Sequence, residues 1–167
     1  MAGYLLSNPF LLNILISVDQ VEKIYIKEIT CAKSEDVAPI NLLLSQLTSS
    51  PVVFEMADLE RMVASEASRL FFIYCEGEVA GMLTLGSYLT PTGPKSWVED
   101  VVVDQRFRGH SLGKRLVEYA IAEAAKVRGN QLMLTSKPVR VAANALYRSV
   151  GFQPKQTNVY RMVFEEE

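Results

Sequence analysis

From Lys23 to Thr30 apolar and polar residues alternate, with Ile24, Ile26 and Ile29 as the apolar positions, which predicts a half-buried strand. The period then lengthens. Val37, Ile40, Leu43, Leu44 and Leu47 recur at helical spacing behind Ser34, Glu35 and Asp36, so a helix capped by Ser34 is expected. Ser49, Ser50 and Pro51 interrupt it, and Met56, Leu59, Met62 and Val63 resume the helical spacing within a second helix from Phe54 to Ser68. Leu70–Cys75 and Val79–Tyr88 are apolar runs on either side of Glu76-Gly77, the pattern of an antiparallel hairpin. Two prolines and a glycine make Thr90–Lys95 a predicted loop.

Trp97–Val103 reads as the next strand. Ser111–Val127 is an amphipathic helix with Leu112, Leu116, Tyr119, Ala120 and Ala124 inward, closed by Arg128-Gly129-Asn130. A strand over Gln131–Thr135, a helix over Val139–Val150 stopped by Gly151, and a last strand over Asn158–Phe164 complete the order. Strand, two helices, three strands, helix, strand, helix, strand is an α+β arrangement. It predicts a mixed, mostly antiparallel central sheet flanked by helices.

With 167 residues, 49% hydrophobic and 22% charged, the chain is expected to bury a real core as one domain rather than remain disordered. A net charge of −2 argues against nucleic-acid or anionic-membrane partners. Cys31 and Cys75 have no paired spacing and read as reduced, half-buried residues of a cytoplasmic protein. One histidine and no Cys/His cluster make a metal site unexpected. Leu5–Val18 is apolar but broken by Ser7, Asn8, Pro9 and Asn13; it is too short to span a bilayer and lacks the basic start of a signal peptide. Residues 1–20 are therefore expected to be an extension and residues 21–167 the domain. The apolar extension and open sheet edges admit a homodimer.

The chemistry concentrates in Val98–Leu116, VEDVVVDQRFRGHSLGKRL. Val101, Val102 and Val103 are strand formers, Gly109 and Gly113 permit close backbone approach, and Ser111 can cap the helix that follows. Free amides at a helix start, at the positive end of its dipole, make a phosphate site. Arg106, Arg108, Lys114 and Arg115 add charge around it.

This loop and the later segment Ala142–Phe152, AANALYRSVGF, together resemble the GNAT superfamily of acetyl-CoA-dependent N-acetyltransferases over roughly residues 21 to 164. The family loop, Arg/Gln-x-x-Gly-x-Gly/Ala, is matched by Arg108-Gly109-His110-Ser111-Leu112-Gly113, with Ser111 standing where the middle glycine is usual. The resemblance implies that the amides from Arg108 to Lys114 cradle the CoA pyrophosphate. It implies too that Val101–Val103 splays from its neighbour at a bulge to pair with pantetheine and hold the acetyl oxygen. Asn144 matches the asparagine beside pantetheine, and Tyr147 the tyrosine that protonates the departing thiolate. WVEDVVVD also resembles aminosugar-phosphate acetyltransferases, over a short stretch.

Glu99 and Asp100 are strand neighbours expected to face opposite ways, one of them into the cleft as base or amine ligand, Glu99 slightly ahead. Both read equally well as ordinary strand-edge acids. Tyr147 by itself reads as a core aromatic; Asn144 and Gly151-Phe152 around it turn the reading towards catalysis. Mid-helix, Asn144 is better explained by a ligand contact than by propensity. His110 lends its amide rather than its ring, and the half-likeness to a Walker loop is one residue short, with Arg115 where Ser or Thr should stand. The expected activity is direct transfer of acetyl from acetyl-CoA to the primary amine of a small molecule, aminosugar or protein. The rival is a non-catalytic CoA-binding or partner-binding module on the same fold.

Overall fold

A computed structural model describes residues 24–49 and 51–164; the expected extension at residues 1–20 lies outside them. The chain divides into two compact units, one ending at Thr135 and the other beginning at Ser136.

The first unit holds a five-stranded sheet in chain order: β1 (Ile24–Glu28), β2 (Ser68–Cys75), β3 (Glu78–Thr90), β4 (Gly93–Val103) and β5 (Gln131–Leu134). β1 to β4 are antiparallel and β5 is parallel to β4, so the expected mixed, mostly antiparallel sheet is present. Its helices are α1 (Ser34–Leu47), α2 (Met56–Ala64) and α3 (Leu112–Ala125). Strand side chains alternate between faces, and each face is covered. Ile40 and Leu43 of α1 and Leu59 of α2 form one core with Leu70, Phe72, Met82 and Val102. Phe71 points the other way and meets Tyr119 of α3 edge to face, centroids 5.3 Å apart. On that side Arg69 of β2 joins Glu28 of β1 at 2.6 Å and the buried Glu123 of α3 at 3.0 Å.

Several boundaries differ from expectation, each for a local reason. Lys33, not Ser34, precedes α1, and no side chain caps it. α2 is shorter than Phe54–Ser68 because Glu55 and Asp58 form a capping box at one end and Ser65 closes the other, leaving Ser68 free to start β2. The expected loop Thr90–Lys95 is a hairpin instead. Thr90 pairs with Gly93 across Pro91-Thr92, and Pro94 precedes the residues of β4 that pair with β5, so its missing N–H costs no ladder bond there.

Gly81 sits where β3 and β4 approach closest. A Cβ there would lie 2.6 Å from the Val102 carbonyl oxygen and 3.2 Å from Val103 Cα. Backbone cannot retreat as a flexible side chain does, so Gly81→Ala is expected to destabilise the fold by about 2 kcal/mol. Thermal unfolding should register this as a Tm lower by about 4–8 °C. An unchanged Tm would mean that the two strands are not held at this distance.

The second unit contains α4 (Val141–Ser149), slightly shorter than the expected Val139–Val150. The expected last strand, Asn158–Phe164, is absent: these residues belong to no sheet. Val159-Tyr160 and Met162-Val163-Phe164 have strand-forming side chains, but a strand exists only through a ladder, and among the described residues none pairs with them. Propensity without pairing leaves the segment irregular.

Candidate active site

The register between β3 and β4 slips once. Met82 faces Val102 but Thr84 faces Glu99, so β4 carries one extra residue. Asp100 sits at this bulge with φ +50, in the left-handed region where Asp is among the better tolerated side chains. The bulge resets the phase of the strand. Glu99, aligned through Thr84 with Leu70, lies on the α1–α2 face, and so does Val102, three residues on. In an unbroken strand residues three apart would face opposite ways.

The regular alternation on which the expectation for Glu99 and Asp100 rests is thus interrupted at Asp100. Both are exposed, and Asp100 occupies the irregularity itself. Partial desolvation pushes the Asp100 carboxyl up from the ordinary aspartate value. It pushes Glu99 up as well, aided by the negative charge of Asp100. Two adjacent acids that ionise reluctantly are suited to taking a proton from an ammonium group.

β5 pairs with β4 only from Lys95 to Val98. Among the described residues no strand accompanies β4 on that side from Glu99 to Val103, the open edge that the family resemblance implies. At its end the Val103 carbonyl accepts from the Arg108 guanidinium at 3.4 Å.

A 3₁₀ turn over Gln105–Phe107 leads from β4 to the loop and α3. Gly109 has φ +86 and Ser111 φ +58. Ser111 thus adopts the left-handed conformation that makes glycine the usual residue at this place in the family loop. Its hydroxyl does not cap α3, contrary to expectation. An N-cap side chain reaches the first-turn amides from extended backbone, and Ser111 is not extended. The first helical bond is Arg115 N to Ser111 O at 3.1 Å, so among the described residues the Leu112, Gly113 and Lys114 amides have no backbone acceptor. These donors, presented at a helix start beside left-handed backbone, form an anion-binding concavity. Gly113 contributes as a residue of the first helical turn; Lys114 lies 3.7 Å from Glu118 in a half-exposed pair.

Left-handed backbone costs a non-glycine residue about 1–2 kcal/mol, partly offset by the larger entropy that glycine loses on folding. Ser111→Gly is thus expected to gain up to about 1 kcal/mol, and Ser111→Val to lose more than that because a β-branched side chain crowds this conformation. Differential scanning calorimetry on the two variants checks the order; a Val variant as stable as the Gly variant would contradict the assigned backbone.

One of the expected charges serves another purpose. Arg106 is bound to the buried Asp104 at 2.8 Å and to Glu78 at 3.0 Å, so it is not available to a ligand. The His110 ring meets the Phe107 carbonyl at 3.2 Å, which leaves its backbone to the loop. The sequence reading passed over Asp104, although an acid two residues before Arg106 at a strand end is a recognisable side-chain-to-backbone turn.

In the second unit Asn144 is explained without a ligand. Its Nδ2 donates to the carbonyls of Lys137 at 2.9 Å and Arg140 at 3.0 Å, tying down the turn that enters α4. Tyr147 is half-buried and meets Phe152 edge to face at 6.1 Å. Burial pushes its phenol up, with the nearby Arg140 charge acting the other way. Glu99 to Lys114 thus lie on consecutive elements of the first unit, and Asn144 and Tyr147 share one helix in the second. Among the described residues no helix is long and apolar enough to cross a membrane, and no group of three His, Cys, Asp or Glu is placed to hold a metal. Cys31 is exposed rather than half-buried, Cys75 is half-buried, and both are free.

Three solved structures have the same fold. A glucosamine-6-phosphate N-acetyltransferase from Arabidopsis thaliana superposes with TM-score 0.68 at 22% identity, covering 84% of this chain and 99% of that one. An aminoglycoside acetyltransferase from an uncultured soil metagenomic sample gives TM-score 0.70 at 15% identity, covering 87% of this chain and 99% of that one. An aminoglycoside N-acetyltransferase in complex with CoA gives TM-score 0.68 at 14% identity, over 84% and 94% of the two chains. The sequence profile of the acetyltransferase (GNAT) family matches residues 40–152, which include the bulge, the loop and Tyr147. With most of its length so matched, this chain belongs to the GNAT acetyltransferase family.

Proposed function

We propose that the protein transfers acetyl from acetyl-CoA to a primary amine, by direct attack with both substrates bound. The observation that carries this reading is the bulge at Asp100, beyond which no strand among the described residues accompanies β4 on the β5 side, followed in the chain by the turn, the loop and the amides of Leu112–Lys114. A CoA pyrophosphate fits those donors, and an amide-bearing arm fits the unaccompanied strand Val101–Val103. Arg108, Gly109, His110 and Ser111 shape the loop between them.

Acetyl-CoA supplies an activated thioester. The chain's part is to orient it and to manage protons. Strand amides at the open edge stabilise the negative charge that develops on the carbonyl oxygen under attack. Glu99 or Asp100, its carboxyl raised above the ordinary value by desolvation, takes the proton from the ammonium so that a neutral amine attacks. The Tyr147 hydroxyl supplies a proton to the departing sulfur. Neither cysteine lies in these elements, which supports direct transfer over an acetyl-cysteine intermediate. Structural neighbours named for aminoglycosides and for glucosamine-6-phosphate support a small-molecule amine as acceptor.

Calorimetry with CoA against ATP–magnesium, followed by thiol release from acetyl-CoA across a panel of amines, tests the reading. CoA binding with amine-dependent thiol release is the expected result. Tighter binding of ATP would overturn it, and CoA binding without turnover of any amine would leave a CoA-binding module in its place.

A further inference from the structure

Among the described residues of the first unit the carboxylate of Asp104 is the most deeply buried acid, at 1% exposure, and it stands where β4 ends and the turn before the anion-binding loop begins. Its Oδ1 accepts the Arg106 backbone amide at 2.9 Å, and its Oδ2 accepts Arg106 Nε at 3.0 Å and Nη2 at 2.8 Å. The Asp104 backbone is used as well: its amide donates to Ala80 at 2.9 Å and its carbonyl accepts from Phe107 at 2.9 Å. From α1, Gln46 Oε1 accepts the Gln105 amide at 2.9 Å, and Arg106 first, with Gln46 a smaller influence, holds the Asp104 carboxyl below the ordinary aspartate value. Arg106 reaches on to Glu78, at the start of β3. The turn before the loop is thereby tied to β3, to β4 and to α1, whereas Arg108 to Ser111 are exposed.

We propose that Asp104 and Gln46 are positioning residues that set the geometry of the anion-binding loop, and through it the affinity for CoA, without touching the ligand. The inference rests on the CoA reading above. Burying a carboxylate is expensive unless every lone pair is answered, and here the answering donors are the amide and guanidinium of the turn itself. The charge can be satisfied only when Gln105–Phe107 hold their wound form, so burial energy is coupled to loop shape. The amides of Leu112–Lys114 begin five residues beyond Phe107, close enough in the chain to inherit an error in the turn. A small misplacement of several donors that converge on one anion weakens them all.

The test compares the full-length parent with Asp104→Asn and Gln46→Ala. Calorimetry with CoA is run well below each Tm, and hydrogen exchange is followed by peptide. Both variants are expected to bind CoA at least ten-fold more weakly and to exchange faster over residues 105–114, with exchange in β1 and β2 unchanged. Because the two residues act on one turn, the double variant should lose less than the product of the single losses. A merely structural role would lower Tm but leave the affinity of the folded protein unchanged. Parent and variants binding CoA equally would overturn the positioning role while sparing the proposed function. A parent that does not bind CoA would overturn both.

Discussion

Replacing Tyr147 with Phe is expected to lower kcat about 10²- to 10⁴-fold, the usual contribution of a positioned proton donor. The KM for acetyl-CoA should change little. Phe keeps the edge-to-face contact with Phe152, so the variant loses a hydroxyl rather than a piece of packing. Burial raises the phenol, so it stays protonated across the neutral range and can give its proton only to a base as strong as a departing thiolate. The alkaline limb of the parent's pH–rate profile should report loss of that proton, above the ordinary tyrosine value of about 10. In the Phe variant this limb should vanish. Unchanged turnover across the pH range would remove Tyr147 from the mechanism.

Neutralising the bulge acids is the second large effect. Glu99→Gln with Asp100→Asn is expected to reduce kcat/KM about 10²-fold or more, and the single variants to show which carboxylate takes the proton. Both carboxyls are raised, Asp100 by desolvation and Glu99 by desolvation together with the charge of Asp100. The acid limb of activity should therefore lie above the ordinary carboxylate range, with the rate rising as pH climbs through it. In the variant that lacks the base, that limb should disappear.

The same shifts carry a sign for stability. A carboxyl raised in the folded state binds its proton more tightly there than in the unfolded chain. Its contribution is complete below the unfolded pKa, about 4, and is lost as pH rises through the folded value. Asp100→Asn should therefore gain stability over the parent as pH increases from about 4 to 7. Relief of left-handed strain by Asn is independent of pH, so only the growth of the Tm difference with pH reports the ionisation. A difference that shrinks over this interval would mean the Asp100 carboxyl is not raised.

The two experiments probe different units of the chain. Tyr147 belongs to α4, the acids to β4. Activity that depends on both would tie the two halves of the motif into one mechanism.

The chain's periodicities contained the sheet. Alternation in Ile24–Glu28, the apolar runs around Glu76-Gly77 and the three valines of β4 each correspond to an observed strand, because side-chain direction in a strand follows from position alone. The helical spacing of α1 and α3, and the anion-binding loop between β4 and α3, were open to the same reading. What that reading lacked was every feature set by contacts between segments distant in the chain. The bulge at Asp100 is a property of the register between β3 and β4, and Gly81 marks how closely they approach. The two carbonyl acceptors of the Asn144 amide, on Lys137 and Arg140, likewise come from the fold and not from the residue pattern.

Ser111 shows where the division falls. Its departure from the glycine of the family loop is plain from the residue itself, but only the fold assigns it the left-handed backbone that glycine would have adopted and withholds its hydroxyl from α3. Asn158–Phe164 shows the converse, strand-forming residues without a strand. By itself the sequence determined the order of the elements up to α4 and the residues available for chemistry, because side-chain periodicity and backbone propensity are local. Tertiary structure alone decided that the bulge falls on Asp100 and that Asp104 is buried, because each depends on which distant backbone lies opposite.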